Sequence, residues 1–140
     1  MLLALLCLLM KKYKFFKEYE IKASVKMLFP YFSTAMGLAE WFADRVENIN
    51  PQTFLFHWDN EDHLGKIVAQ RMGKSIKFEF EPENQEDAQN PSYIEFKLDF
   101  NDMTNTTFVK VTDYSSETDE EELNELWDGL IHNLKEIVGG

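Results

Sequence analysis

Residues 118–139 read as one long amphipathic helix that follows a run of aromatic-rich strands, and that order of elements leaves few folds open. Leu123, Leu126, Trp127, Leu130, Leu134, Ile137 and Val138 recur at steps of three and four, so they share one face about 100° wide. A face of that width needs a sheet to cover. Thr118 is placed to cap the first turn, with Glu121 three positions on completing a capping box, and acidic residues 119–122 sit where the helix dipole favours negative charge. Gly139 supplies the C-terminal cap.

The sheet is legible upstream. Tyr19, Ile21 and Ala23 alternate with Glu18, Glu20 and Lys22, the period of a half-buried first strand over residues 14–23. Ser24 then caps a short helix that ends near Pro30, and a second short helix over residues 34–42 buries Leu38, Trp41 and Phe42. Strand periodicity returns at residues 46–49 and continues through Phe54, Phe56 and Trp58 after a turn at Asn50-Pro51. Residues 59–62 form a polar turn into residues 64–71, and Gly73 marks the next hairpin before Ile76, Phe78 and Phe80. Residues 81–91, rich in Glu, Asn, Gln and Pro, form a mobile loop. Ile94, Phe96, Leu98 and Phe100 make one further strand, and Phe108, Val109 and Val111 another.

The 140 residues suit one domain, able to bury roughly two thirds of its unfolded surface. Twelve Phe, five Tyr and three Trp are more aromatic surface than such a core requires, which favours a lined cavity as much as a tightly packed interior. Net charge is −11, concentrated in residues 79–128, where sixteen acids face two bases, Lys97 and Lys110. That field repels phosphate backbones and anionic membranes, so neither nucleic-acid binding nor stable membrane insertion is expected. It serves solvation, or docking of a basic protein partner.

Residues 1–10 are apolar throughout. As a helix they would reach about 15 Å, half of a bilayer core. No basic stretch precedes them and no small-residue cleavage site follows, unlike a signal peptide. Residues 1–9 are therefore read as a non-native leader, with translation starting at Met10 before Lys11-Lys12, the alternative being a hydrophobic anchor or unusual leader that starts at Met1. Cys7, the sole cysteine, allows no intramolecular disulfide, in keeping with a cytoplasmic location.

The element order, with Leu28-Phe29-Pro30, the segment Thr34-Ala35-Met36-Gly37-Leu38-Ala39-Glu40-Trp41-Phe42, the strand Phe54-Leu55-Phe56-His57-Trp58 and the helix segment Leu126-Trp127-Asp128-Gly129-Leu130, resembles the START-like (Bet v 1-like, helix-grip) superfamily over residues 10–140. Within it the chain is most similar to the Aha-type branch, named for activators of the heat-shock chaperone ATPase, and to small bacterial START-like proteins. The resemblance implies an α+β helix-grip fold: a curved antiparallel sheet of six to seven strands wrapped on the long C-terminal helix, with two short helices after the first strand. It also implies a cavity of the kind that holds lipids, sterols or polyketides, and a co-chaperone role for some members. One fold hosts many functions, so the ligand is not fixed by it.

His57 and His63 flank Asp59, Glu61 and Asp62, and across a hairpin they would face each other as metal ligands; the spacing matches no strong metal motif, and an acid-rich turn with exposed histidines is the simpler reading. Lys97 and Asp99 fall on the strand face opposite Phe96 and Leu98, leaving no polar pair aimed inward for acid–base work. The expectation is therefore non-catalytic binding of a hydrophobic small molecule or lipid between the sheet and the C-terminal helix. No catalytic residue, metal or cofactor is expected, and the protein is a monomer or homodimer. The expected lining is Trp41, Phe42, Phe56, Trp58, Phe78, Phe80, Phe96, Leu98, Trp127 and Leu130. The alternative is a protein-interaction or co-chaperone-like module using the acidic face.

Overall fold

The computed structural model describes residues 12–140, with the side chains of residues 86 and 87 left out; the reading of residues 1–10 as a leader lies outside the described residues. The chain runs β1 (Tyr13–Ile21), α1 (Val25–Ser33), α2 (Ala35–Trp41), β2 (Arg45–Asn50), β3 (Thr53–Trp58), β4 (Glu61–Arg71), β5 (Ser75–Phe80), α3 (Gln85–Gln89), β6 (Tyr93–Asn101), β7 (Thr106–Ser115) and α4 (Glu120–Val138). The seven strands form one antiparallel sheet in the order β1-β7-β6-β5-β4-β3-β2. This is the expected α+β helix-grip architecture. The α1–α2 pair carries the chain from one edge of the sheet to the other. No described helix is long and apolar enough to cross a membrane.

Local chemistry explains most element boundaries. The side chain of Ser24 accepts the Met27 N–H at 3.1 Å and starts α1. Thr34 ends α1 and begins α2 at once: its hydroxyl donates to the Pro30 carbonyl at 2.7 Å and accepts the Gly37 N–H at 2.9 Å. A Cβ at Gly37 would stand 2.2 Å from the Pro30 oxygen, so only glycine lets the two helices meet this closely. Helix α1 runs through Pro30 instead of ending there. Pro30 is solvent-exposed, so the helical carbonyl it leaves without an N–H partner can be hydrated.

Asp59 and Asn60 both take positive φ, 52° and 60°, as a two-residue hairpin turn of matching twist requires. The turn is thus two residues and not four, and β4 begins at Glu61, with His63 opposite Phe56. Gly65 lies beneath the Phe56 and Phe80 rings, where a Cβ would meet Phe56 Cε2 at 2.7 Å and Phe80 Cε1 at 3.1 Å. The loop expected at 81–91 contains the short helix α3.

Helix α4 starts one residue later than its sequence suggests. Asp119, not Thr118, is the cap, accepting the N–H groups of Glu121 and Glu122 at 3.1 and 3.2 Å, while its own N–H goes to Glu117 Oε1 at 2.9 Å. Gly139 closes the other end at φ 81°. The buried stripe is Leu123, Trp127, Ile131 and Leu134. Leu126 and Ile137, expected within it, are 53% and 41% exposed, and Ile131 takes their place at 1%. At 100° per residue the stripe centres between Trp127 and Leu134, which leaves Leu126 and Ile137 on its margin.

The core lies between the concave face of the sheet and the helices. Phe32 of α1 is wedged between Trp41 and Phe96, with ring centroids 5.3 and 4.7 Å away. Edge strand β1 clasps α4 through polar groups: Lys17 Nζ donates to Asn124 Oδ1 at 2.7 Å and to Asp128 Oδ1 at 2.8 Å, and the Tyr19 hydroxyl donates to Asp128 Oδ1 at 2.8 Å. Burial first, and then this bond, raises the Tyr19 pKa, whereas Lys17 holds the Asp128 carboxyl below the usual carboxylate range.

Candidate functional site

Helix α4 does not cover the whole sheet. At the end where β3, β5 and β7 finish and β4 and β6 begin, a cleft of about 920 Å³ opens beneath it. Trp41 and Phe42 enter this space from the end of α2, Trp58 from the end of β3, Phe80 from the end of β5, and Trp127 and Leu130 from α4. Phe42 sits at the centre of the aromatic wall. Its ring lies 5.9 Å from Trp127 in a stacked arrangement, and 5.6 Å from both Trp58 and Trp41.

Six of the ten expected lining residues therefore meet at one cleft: Trp41, Phe42, Trp58, Phe80, Trp127 and Leu130. The structure places the other four elsewhere. Phe56, Phe78, Phe96 and Leu98, 0–7% exposed, pack within the core and are not among the cleft's lining residues. They share the inward parity of Trp58 and Phe80 but occupy the middle of their strands, where α1, α2 and α4 close over the sheet.

The premise that no polar group is aimed inward is corrected. Asp113 continues the inward parity of Val109 and Val111, is 7% exposed, and lines the cleft. Its Oδ2 accepts the Trp127 indole N–H at 2.9 Å. Burial pushes its carboxyl above the usual range, against the pull of hydrogen bonds from Trp127 and Ser115, and nearby Glu117 adds to the rise. His63 is another inward polar residue that lines the cleft. Its ring stacks on Trp58 at 4.2 Å, and its Nε2 is buried without a hydrogen-bond partner among the described residues.

His57 and His63 do not face each other. His57 opposes Asp62 in the β3–β4 register and contacts its carboxylate at 2.8 Å, while His63 opposes Phe56 on the concave face. No group of three or more metal-ligating side chains occurs among the described residues. Lys97 and Asp99 are exposed, as their strand parity suggests, and His132 faces solvent beside Glu136 at 3.2 Å.

The START-like superfamily domain matches residues 9–140, and the chain belongs to that superfamily. A Bacteroides fragilis protein solved in solution is 34% identical, with 91% of this chain and 92% of that one covered at a TM-score of 0.61. The Aha1 dimer from Colwellia psychrerythraea aligns over 90% of this chain and 96% of its own, at 21% identity and a TM-score of 0.74. CalU16 from Micromonospora echinospora aligns over 89% and 75%, at 13% identity and a TM-score of 0.65. The last two likenesses show the fold, and the Aha1 structure is in line with the Aha-type resemblance. Among curated proteins none matches the chain.

Proposed function

We propose that this START-like domain binds an apolar small molecule or lipid, without chemical turnover, in the cleft between its sheet and α4. The observation that carries the reading is that all three tryptophans of the chain, Trp41, Trp58 and Trp127, stand in the wall of one cleft of about 920 Å³. Sites for small organic ligands span roughly 300–1,000 Å³ and are walled mainly by apolar and aromatic side chains with a few placed polar groups. Asp113 and His63 are such groups. Asp113 is already engaged by Trp127, which suits it to orienting a ligand more than to exchanging protons with one.

The competing reading is a protein-docking module that uses the acidic half of the chain, as a monomer or a homodimer. The excess of sixteen acids over two bases in residues 79–128 favours it. In either reading the protein acts in the cytoplasm.

Native mass spectrometry of the protein purified from its own host, before and after denaturation, tests the first reading. The expected result is a one-to-one apolar adduct that denaturation releases. A bare mass, together with no rise in melting temperature on adding octyl glucoside as a neutral apolar probe, contradicts it. Capture of a basic protein at low but not high salt then supports the docking module.

A further inference from the structure

We infer that the cleft selects an organic cation, an ammonium group carried on an apolar body; this rests on the binding reading above and narrows it to a ligand class. Seven carboxylate residues stand along the lining, among them Glu40, Asp44, Glu81, Asp113 and Glu117, and no lysine or arginine does. Lys12 reaches the rim from outside, over the Tyr114 ring at 5.9 Å. An anionic head group entering here finds no counter-charge and loses its water against a negative wall.

The apolar part of the wall favours the same sign of charge. Phe42 and Trp58 are partly exposed aromatic rings of the lining, and aromatic rings attract cations, Trp most strongly; Trp127, 1% exposed and stacked on Phe42, backs them. Asp113, 7% exposed, holds a carboxylate where burial disfavours charge, and an incoming ammonium group offsets that penalty. His63 lines the cleft beside Trp58, its Nε2 without a hydrogen-bond partner among the described residues and 4.0 Å from the Glu61 carboxylate. A cleft built for a fatty acid or a phosphate ester would instead carry Lys or Arg at this depth.

Three probes with one octyl chain separate this inference from the reading beneath it: octylammonium, octyl glucoside and octyl sulfate. Each is titrated below its micellar concentration into the full chain and followed by tryptophan fluorescence, because every tryptophan lies in the wall. Octylammonium is expected to bind about tenfold more tightly than octyl glucoside, and octyl sulfate most weakly. Asp113→Asn and Glu117→Gln should each narrow the ammonium preference by about threefold or more, whereas Glu125→Gln, an equal change of net charge outside the cleft, should leave it within about twofold. Octyl glucoside or octyl sulfate binding as tightly as octylammonium overturns the cation inference alone, and so does a preference that only Glu125→Gln diminishes. Failure of all three probes to alter the fluorescence overturns the binding reading itself.

Discussion

At the scale of single residues, the Asp113–Trp127 pair ties the packing of the cleft to its polarity. Trp127→Phe keeps most of the apolar contact but removes the indole donor to a buried carboxylate. It should destabilise the fold by about 2 kcal/mol, read from urea unfolding. Asp113→Asn has the opposite sign at neutral pH. A carboxyl whose folded pKa is raised contributes stability that is full below its ordinary pKa and lost as pH rises through the folded value. The Asn variant lacks that loss, so it should be more stable than the natural chain at pH 7, with the gap narrowing toward pH 4. The inward face of Asp113 was overlooked but legible in the sequence, as the polar continuation of the alternating series Val109, Val111. That of His63 was not legible. Pairing it with His57 needs a five-residue turn and puts it on the outer face, whereas the two-residue turn at Asp59 and Asn60 sets it opposite Phe56 on the concave face.

At the scale of elements, glycines mark where backbones meet and where they do not. Gly37→Ala drives a methyl group onto the Pro30 carbonyl and should cost about 2–3 kcal/mol by forcing α1 from α2. Gly129→Ala meets nothing within 4 Å on the exposed side of α4 and should raise stability by up to about 1 kcal/mol. Thermal unfolding of the two variants therefore moves in opposite directions. The β1–α4 clasp is weaker. Asp128 is 47% exposed, so Asp128→Asn should cost only about 0.5–1 kcal/mol, less in high salt. Because Lys17 depresses the Asp128 pKa, this contribution is present above the ordinary carboxylate pKa and lost as pH falls through the folded one. Periodicity identified the long helix and every strand but β4, because alternation and 3.6-residue spacing follow directly from burial on one face; residues 64–71 do not alternate and were bounded only by the turns on either side. It placed the α4 stripe less well: Leu126 satisfies the spacing but stands at the mouth of the cleft, 53% exposed.

At the scale of the molecule, the question was which inward aromatics form a closed core and which form a wall. Strand parity assigns Phe56, Phe78 and Phe96 to the same face as Trp58 and Phe80. Depth along the strand separates them, and depth depends on where α4 crosses the curved sheet. That crossing is a tertiary fact that no local pattern carries. The fold was therefore legible from the chain, while the border between core and cleft was not. The most direct test of the central claim, that a ligand enters under α4, is a two-dimensional 15N NMR titration with octyl glucoside that follows the indole N–H signals. The account predicts that the Trp41, Trp58 and Trp127 indoles shift together and saturate at one equivalent, while amides of Lys97 and Asp99 on the outer face stay in place. Shifts on the outer face with unmoved indoles would contradict it.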